Sequence, residues 1–214
     1  MENNNKIIVL VAIWVMIIGT ISAVSYSFSD DIIVNVSLDG ENVTVSSLAI
    51  PFGKDISSMK NEIVQYSTKE MNNVDSDKNT FKSGITQIAE KYGFTNINVQ
   101  IVSQFGKDEI PMLVIVDGTS MLPTLKDGEE VIVHKTHDIK VGDIVVAKDP
   151  EYGLLIKRVG IISGNKVFLS ADNNNIVNVF ENGTYYQIIA VEKWTNTSNI
   201  IGVAKIFNVG QIKK

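Results

Sequence analysis

The distal half of the chain is punctuated like an all-β unit, and that rhythm constrains the fold more than any other feature. Turn formers at Asp127-Gly128, Gly142-Asp143 and Ser163-Gly164-Asn165 separate short apolar runs at 131–133, 144–147 and 166–169. Runs this short, bounded by Gly, Asp and Asn, read as strands rather than helices. A last apolar stretch, 200–209, is interrupted by Lys205 and too short to span a bilayer, so it reads as a closing strand. The 214 residues contain no cysteine, so the fold must hold by packing alone. A thiol nucleophile, a thiolate zinc site, an iron–sulfur cluster and a disulfide are excluded together. A net charge of −5 without a basic run argues against nucleic acid as a partner. His134 and His137 lie in one polar stretch without a second pair, and read as solvated loop residues rather than metal ligands.

The proximal half has a different organisation. Residues 7–24, IIVLVAIWVMIIGTISAV, carry no charge and are near the lower limit of about 18 residues for a membrane span. An uncleaved anchor and a secretory signal peptide both fit. The run exceeds the usual apolar stretch of a signal peptide, which favours the anchor, although Ser22 and Ala23 offer small residues near its end. Lys6 before it and Asp30 and Asp31 after it orient the N-terminus toward the cytoplasm and the rest outside. Sequons at Asn35, Asn42, Asn182 and Asn196 all follow the run. Beyond it, β-rich segments at 32–37 and 42–48 flank Asp39-Gly40, a hairpin signal. Two helical patterns come next. The first, about 57–71, puts Met59, Ile63, Tyr66 and Glu70 on one face, an imperfect stripe. The second repeats Phe81, Ile85, Ile88, Ala89 and Tyr92 before a stop at Gly93. Alternation of Ile97, Val99 and Ile101 marks a further strand. The expected division is 1–28 for the cytoplasmic end and anchor, 29–108 for a small α+β unit without evident chemistry, and 109–214 for the mainly β unit.

The chemistry sits in the β unit. Residues 111–126, PMLVIVDGTSMLPTLK, describe a strand feeding a turn that presents Ser120, with Gly118 and Pro123 shaping the bend. A serine on a loop is merely polar unless a base reaches it. Lys157 is embedded in the apolar run GLLIKRVG, beside Leu155, Ile156 and Val159. Burial there would depress its pKa and make it a base. Equally, Lys157 and Arg158 could straddle an ordinary strand, one outward and one snorkelling.

GTSMLPTLKDGEEVIV, KVGDIVVAKDP, LLIKRVG and SADNN occur in the order and spacing of the signal peptidase I motifs, and 111–207 resembles that family. The resemblance implies a signal peptidase/LexA-like β fold, Ser120 as nucleophile and Lys157 as general base. Lysine rather than histidine at 157 resembles the bacterial type, in an archaeal or Gram-positive-like chain. It also implies that Met121 and Pro123 aim Ser120, that the Ser120 N–H supports the oxyanion, and that Asp172 pairs with Arg158. Ala171 stands where the family has glycine, and the serine and second aspartate that often follow are missing. Gly118 replaces the serine hydroxyl donor of one branch. An extended substrate would pair along 112–116, with Met112, Val114, Val116 and Leu155 among its contacts. A Ser–Lys dyad needs no cofactor or metal. The implied activity is removal of signal peptides from exported preproteins at small-x-small sites, beside the bilayer and the secretion machinery. The rivals are a self-cleaving LexA-type protein and a catalytically silent, membrane-tethered scaffold.

Overall fold

The computed structural model describes residues 30–49, 53–175, 177–181 and 184–207. The expected anchor at 7–24, the sequon at Asn182 and the end of the apolar stretch at 208–209 lie outside the described residues. Among the described residues, no helix is long and apolar enough to cross a membrane.

Strands β1 (Asp31–Leu38) and β2 (Val43–Ala49) form the antiparallel hairpin that Asp39-Gly40 signals. Asp39 Oδ1 accepts from the N–H groups of Glu41 and Asn42 and holds the turn closed. Helices α1 (Ile56–Met71) and α2 (Lys78–Lys91) follow. Each starts on an aspartate: Asp55 accepts from Ser58 N–H, and Asp77 from Asn79 and Thr80 N–H. These bonds satisfy donors that an uncapped helix end leaves open. The chain returns as β3 (Asn96–Ser103), which pairs with β1 in parallel, and ends this sheet with β4 (Gly106–Lys107). The strand order is β2-β1-β3-β4. A parallel pair needs a long crossover, which the two helices supply.

Ile32, Val34, Val36 and Leu38 alternate along β1 and pack against Met59, Ile63, Phe81 and Ile85 of the helices. Burial of each such side chain is worth about 1.5–3 kcal/mol, so this face can replace the missing disulfides. The stripe on α1 differs from the expected one. Its buried positions are Met59, Ile63, Ser67 and Met71, each four residues apart, whereas Tyr66 and Glu70 lie at its margin. Tyr66 turns sideways to donate to Thr80 O, because α2 crosses there.

The second sheet has seven strands: β5 (Pro111–Ile115), β6 (Glu130–His134), β7 (Ile144–Asp149), β8 (Gly153–Ser163), β9 (Lys166–Ser170), β12 (Lys193–Asn196) and β13 (Ile200–Phe207). Their order is β12-β9-β8-β7-β13-β6-β5, antiparallel throughout. A separate hairpin is made by β10 (Val177–Glu181) and β11 (Thr184–Ile188). The mainly β expectation holds for this part of the chain. The last strand does not close an edge. It inserts between β6 and β7, where Ile200, Val203 and Ala204 are buried.

The end of α1 and the segment after it meet the second sheet directly. Lys135 Nζ donates to the carbonyls of Glu70, Asn73 and Ser76 at the end of α1, and Lys148 pairs with Asp75. His134 is not a solvated loop residue: it ends β6, contacts Glu109 Oε2 at 2.6 Å and stacks on Phe105. The linker at 108–110 brings Glu109 over the strand end, and the β3–β4 turn brings Phe105. His137, by contrast, is exposed.

Candidate functional site

Strand β5 ends at Ile115, and the chain then loops over the outer end of the sheet before returning as β6. The loop is tied at its base, where Val116 N–H donates to Glu129 O and Gly128 N–H to Val116 O. Gly118 adopts φ +88, a left-handed conformation that suits glycine, and donates to Asp127 Oδ1 at 2.8 Å. Leu122-Pro123 is a cis peptide. Met121 and Leu125 anchor the loop from below, exposed by 1 % and 0 %. Ser120 is thus held between a flexible-backbone glycine and a buried methionine.

Lys157 lies mid-strand on β8, with Val145 opposite it on β7. It is 4 % exposed, so neither the outward nor the snorkelling reading describes it. Its Nζ lies 2.6 Å from Ser120 Oγ and 3.2 Å from the carbonyl of Ile156. Burial pushes the Lys157 ammonium below its ordinary pKa, against the opposing charges of Glu192 and Asp172. The lost hydration destabilises the charged form more than these carboxylates restore it. A buried amine held below its ordinary pKa against a hydroxyl is an arrangement suited to proton transfer.

Around this pair lies a network that fixes both partners. Asp172 takes Arg158 in a bidentate pair, Nε to Oδ1 at 2.7 Å and Nη2 to Oδ2 at 2.5 Å. The Arg158 hydrogen bonds hold the Asp172 carboxyl below its ordinary range, and Thr124 assists. Thr124 Oγ1 donates to Asp172 Oδ2 at 2.5 Å, and Arg158 Nη1 donates to Gly142 O at 2.7 Å. The loop after β9 also grips the serine turn: Asp172 and Asn173 N–H both donate to Ser120 O, at 3.0 and 2.9 Å. Asn173 Nδ2 adds a bond to Thr119 O. Glu192 in turn accepts from Ala171 N–H at 3.0 Å.

Three participants were not singled out from sequence. Thr124 and Asn173 stood inside the quoted blocks LPTL and SADNN, where their type and position were the available signal. Glu192, in VEKW, gave none, because only folding brings residue 192 to the loop at 171.

The expected substrate contacts divide by burial. Met112 and Val116 are each 2 % exposed and, with Met121, belong to the core beneath the strand. Val114 and Leu155 are half-buried, and Pro123 is exposed. Among the described residues, strand β5 is the outer strand of its sheet, and no further strand pairs with its open side. The side chain most open along it is Ile115, 63 % exposed. Met112, Val114 and Val116 share the inward face of the strand, and Val114 packs against the same core as the other two, so all three are committed to packing.

No curated protein matches the sequence. The Peptidase S24-like family model matches residues 79–201, more than half of the chain. The match includes Ser120, Lys157, Arg158, Asp172 and Glu192 and begins within α2, so it reaches across the boundary expected at 108/109. It reports serine-type peptidases as a group and is broader than signal peptidase I. With its long antiparallel sheet and its Ser–Lys contact, the chain belongs to the Peptidase S24-like family.

Proposed function

We propose that the protein is a membrane-anchored serine endopeptidase that removes signal peptides from exported preproteins, with Ser120 as nucleophile and Lys157 as general base. The observation that carries this reading is the 2.6 Å approach of Lys157 Nζ to Ser120 Oγ, by a lysine only 4 % exposed. Neutral Lys157 takes the hydroxyl proton as Oγ bonds to the scissile carbonyl carbon and the carbonyl electrons move onto oxygen. The Ser120 N–H is one donor to that oxyanion. Collapse breaks the C–N bond, and the Lys157 ammonium gives its proton to the leaving amine. Lys157 then takes a proton from water as its oxygen bonds to the acyl carbon, and returns that proton to Ser120 Oγ as the C–Oγ bond breaks, which releases the acid and restores the neutral amine. Arg158 and Asp172 touch neither substrate nor the transferred proton; they hold β8, the serine turn and the loop at 171–175 in register, and Asp172 also favours the charged form of Lys157.

The substrate assignment rests on the motif resemblance and on the uncharged run 7–24. An anchor there, with its N-terminus in the cytoplasm, confines enzyme and tethered preprotein to one surface and raises their local concentration. The same reading supplies the small residues at the first and third positions before the cut, and the secretion machinery as a neighbour.

The test is cleavage of purified preproteins by wild type, Ser120→Ala and Lys157→Ala, each checked for folding by circular dichroism. Wild type is expected to cut after a small-x-small site, and each variant to lose about a thousandfold or more. Folded wild type that is inert on several preproteins, or variants that cut equally well, would sink the reading and favour the silent scaffold. Fragmentation of wild type alone, absent in Ser120→Ala, would favour LexA-type self-cleavage instead.

A further inference from the structure

The free edge of β5 is already occupied at one rung. Val116 N–H bonds to Glu129 O, and Ile110 O accepts from Lys135 N–H, so the even-numbered residues turn their main chain toward β6. The alternate residues, Leu113 and Ile115, therefore turn theirs toward the open side. Leu113 N–H does not wait there for a ligand: it donates to Asn72 Oδ1 at 3.3 Å. Asn72 is the residue on which α1 ends.

That helix end is firmly placed. Lys135 Nζ reaches the carbonyls of Glu70, Asn73 and Ser76 at 3.3, 2.6 and 3.4 Å. Val74 packs on the core cluster that holds Met112, Val116 and Met121. Asn73 Nδ2 donates to Glu70 Oε2 and so braces the turn itself. The Asn72 amide is thus presented to the edge strand by a docked segment rather than by a loose loop.

We infer that Asn72 is a specificity-determining residue that ends substrate pairing along β5 at Ile115. This rests on the peptidase reading above. Successive outward rungs on a strand are about 6.7 Å apart. A substrate running from Ser120 along the edge meets Ile115 first and finds the next rung, Leu113, taken by the Asn72 side chain. The enzyme therefore reads a short extended segment beside the cut, and residues farther out gain no hydrogen bond from the Leu113 N–H. The favoured substrate class is a peptide extended only near the scissile bond.

The experiment uses the full chain and two series of synthetic peptides, lengthened one residue at a time away from the cleaved bond on either side. For wild type, KM should stop falling once the peptide reaches Ile115. In Asn72→Ala the Leu113 N–H is released, and longer peptides in one series should gain a further drop in KM of about fivefold, the scale of one hydrogen bond. In that variant kcat should be unchanged, as should KM for the short peptides. Asn72→Asp keeps an acceptor and should retain the wild-type length profile, which separates rung blocking from a general loosening of the helix end. An Asn72→Ala profile superimposing on wild type overturns the inference while leaving the peptidase reading intact. Wild type that cuts no peptide of either series overturns the peptidase reading first, and the inference with it.

Discussion

Lys157 shows how a single side chain acquires chemistry from its surroundings. Its amine is drawn toward the neutral form by burial, while Glu192 and Asp172 pull it back toward the ammonium. Arg158, next to it on β8, is engaged by Asp172 and moderates that carboxylate's effect. On the peptidase reading, Glu192 therefore acts through Lys157, as a positioning residue. Glu192→Gln keeps an oxygen to accept from Ala171 N–H but removes the negative charge. The Lys157 pKa should then fall further, since the charged form loses a stabilising partner. On the peptidase reading proposed above Lys157 must be deprotonated to act, so the acid limb of the kcat/KM profile should move to lower pH. A limb that stays in place would show that the field of Glu192 does not reach the amine.

At the scale of elements, β13 repays scrutiny because it lies between two strands that precede it in sequence by many residues. It pairs with β7 through Ile200, Gly202 and Val203, and with β6 through Val203 to Phe207, with a register shift on each side. Gly202 sits at the crowded point: a Cβ added there would lie 2.1 Å from the His134 carbonyl oxygen. That neighbour is main chain of β6 and cannot swing aside. Gly202→Ala should cost about 1–3 kcal/mol of stability, as overpacking of a dense interior does. Thermal unfolding should then begin several degrees lower, at about 2–4 °C per kcal/mol for a chain of this size. An unchanged melting temperature would mean that β6 and β13 can separate at no cost.

At the scale of the whole molecule, the two sheets are joined through Lys135. Burial lowers its pKa from 10.5 to about 8, and its ammonium is offered three carbonyls of the α1 terminus. Because the folded value lies below the unfolded one, the unfolded chain binds more protons between about 8 and 10.5. This group's contribution to stability therefore rises with pH across that window. In Lys135→Met the three carbonyls lose their donor, which should cost about 1–3 kcal/mol at pH 7. The stability gap between wild type and variant should widen as pH goes from 8 to 10. Urea titrations at these pH values measure both effects, and a gap independent of pH would rule out the buried amine as their source.

Much of this was legible from the order of residues. Turn dipeptides and short apolar runs announced β6, β7 and β9, helical spacing announced α1 and α2, and the motif blocks marked Ser120, Lys157, Arg158 and Asp172. Such signals are local, since backbone preference and the 2.0 or 3.6 residue periods are written into neighbouring positions. Other features were decided only in three dimensions. The central place of β13, the parallel pairing of β1 with β3, the Glu192 contact at Ala171 and the Asn72 contact at Leu113 all join residues distant in sequence. Even the burial of Met112 and Val116, expected as substrate contacts, follows from which face the second core claimed. Local patterns were enough for most elements and for the candidate residues; tertiary packing decided which of them meet. Hydrophobic burial selects faces and neighbours across the whole chain, and no local pattern carries that information.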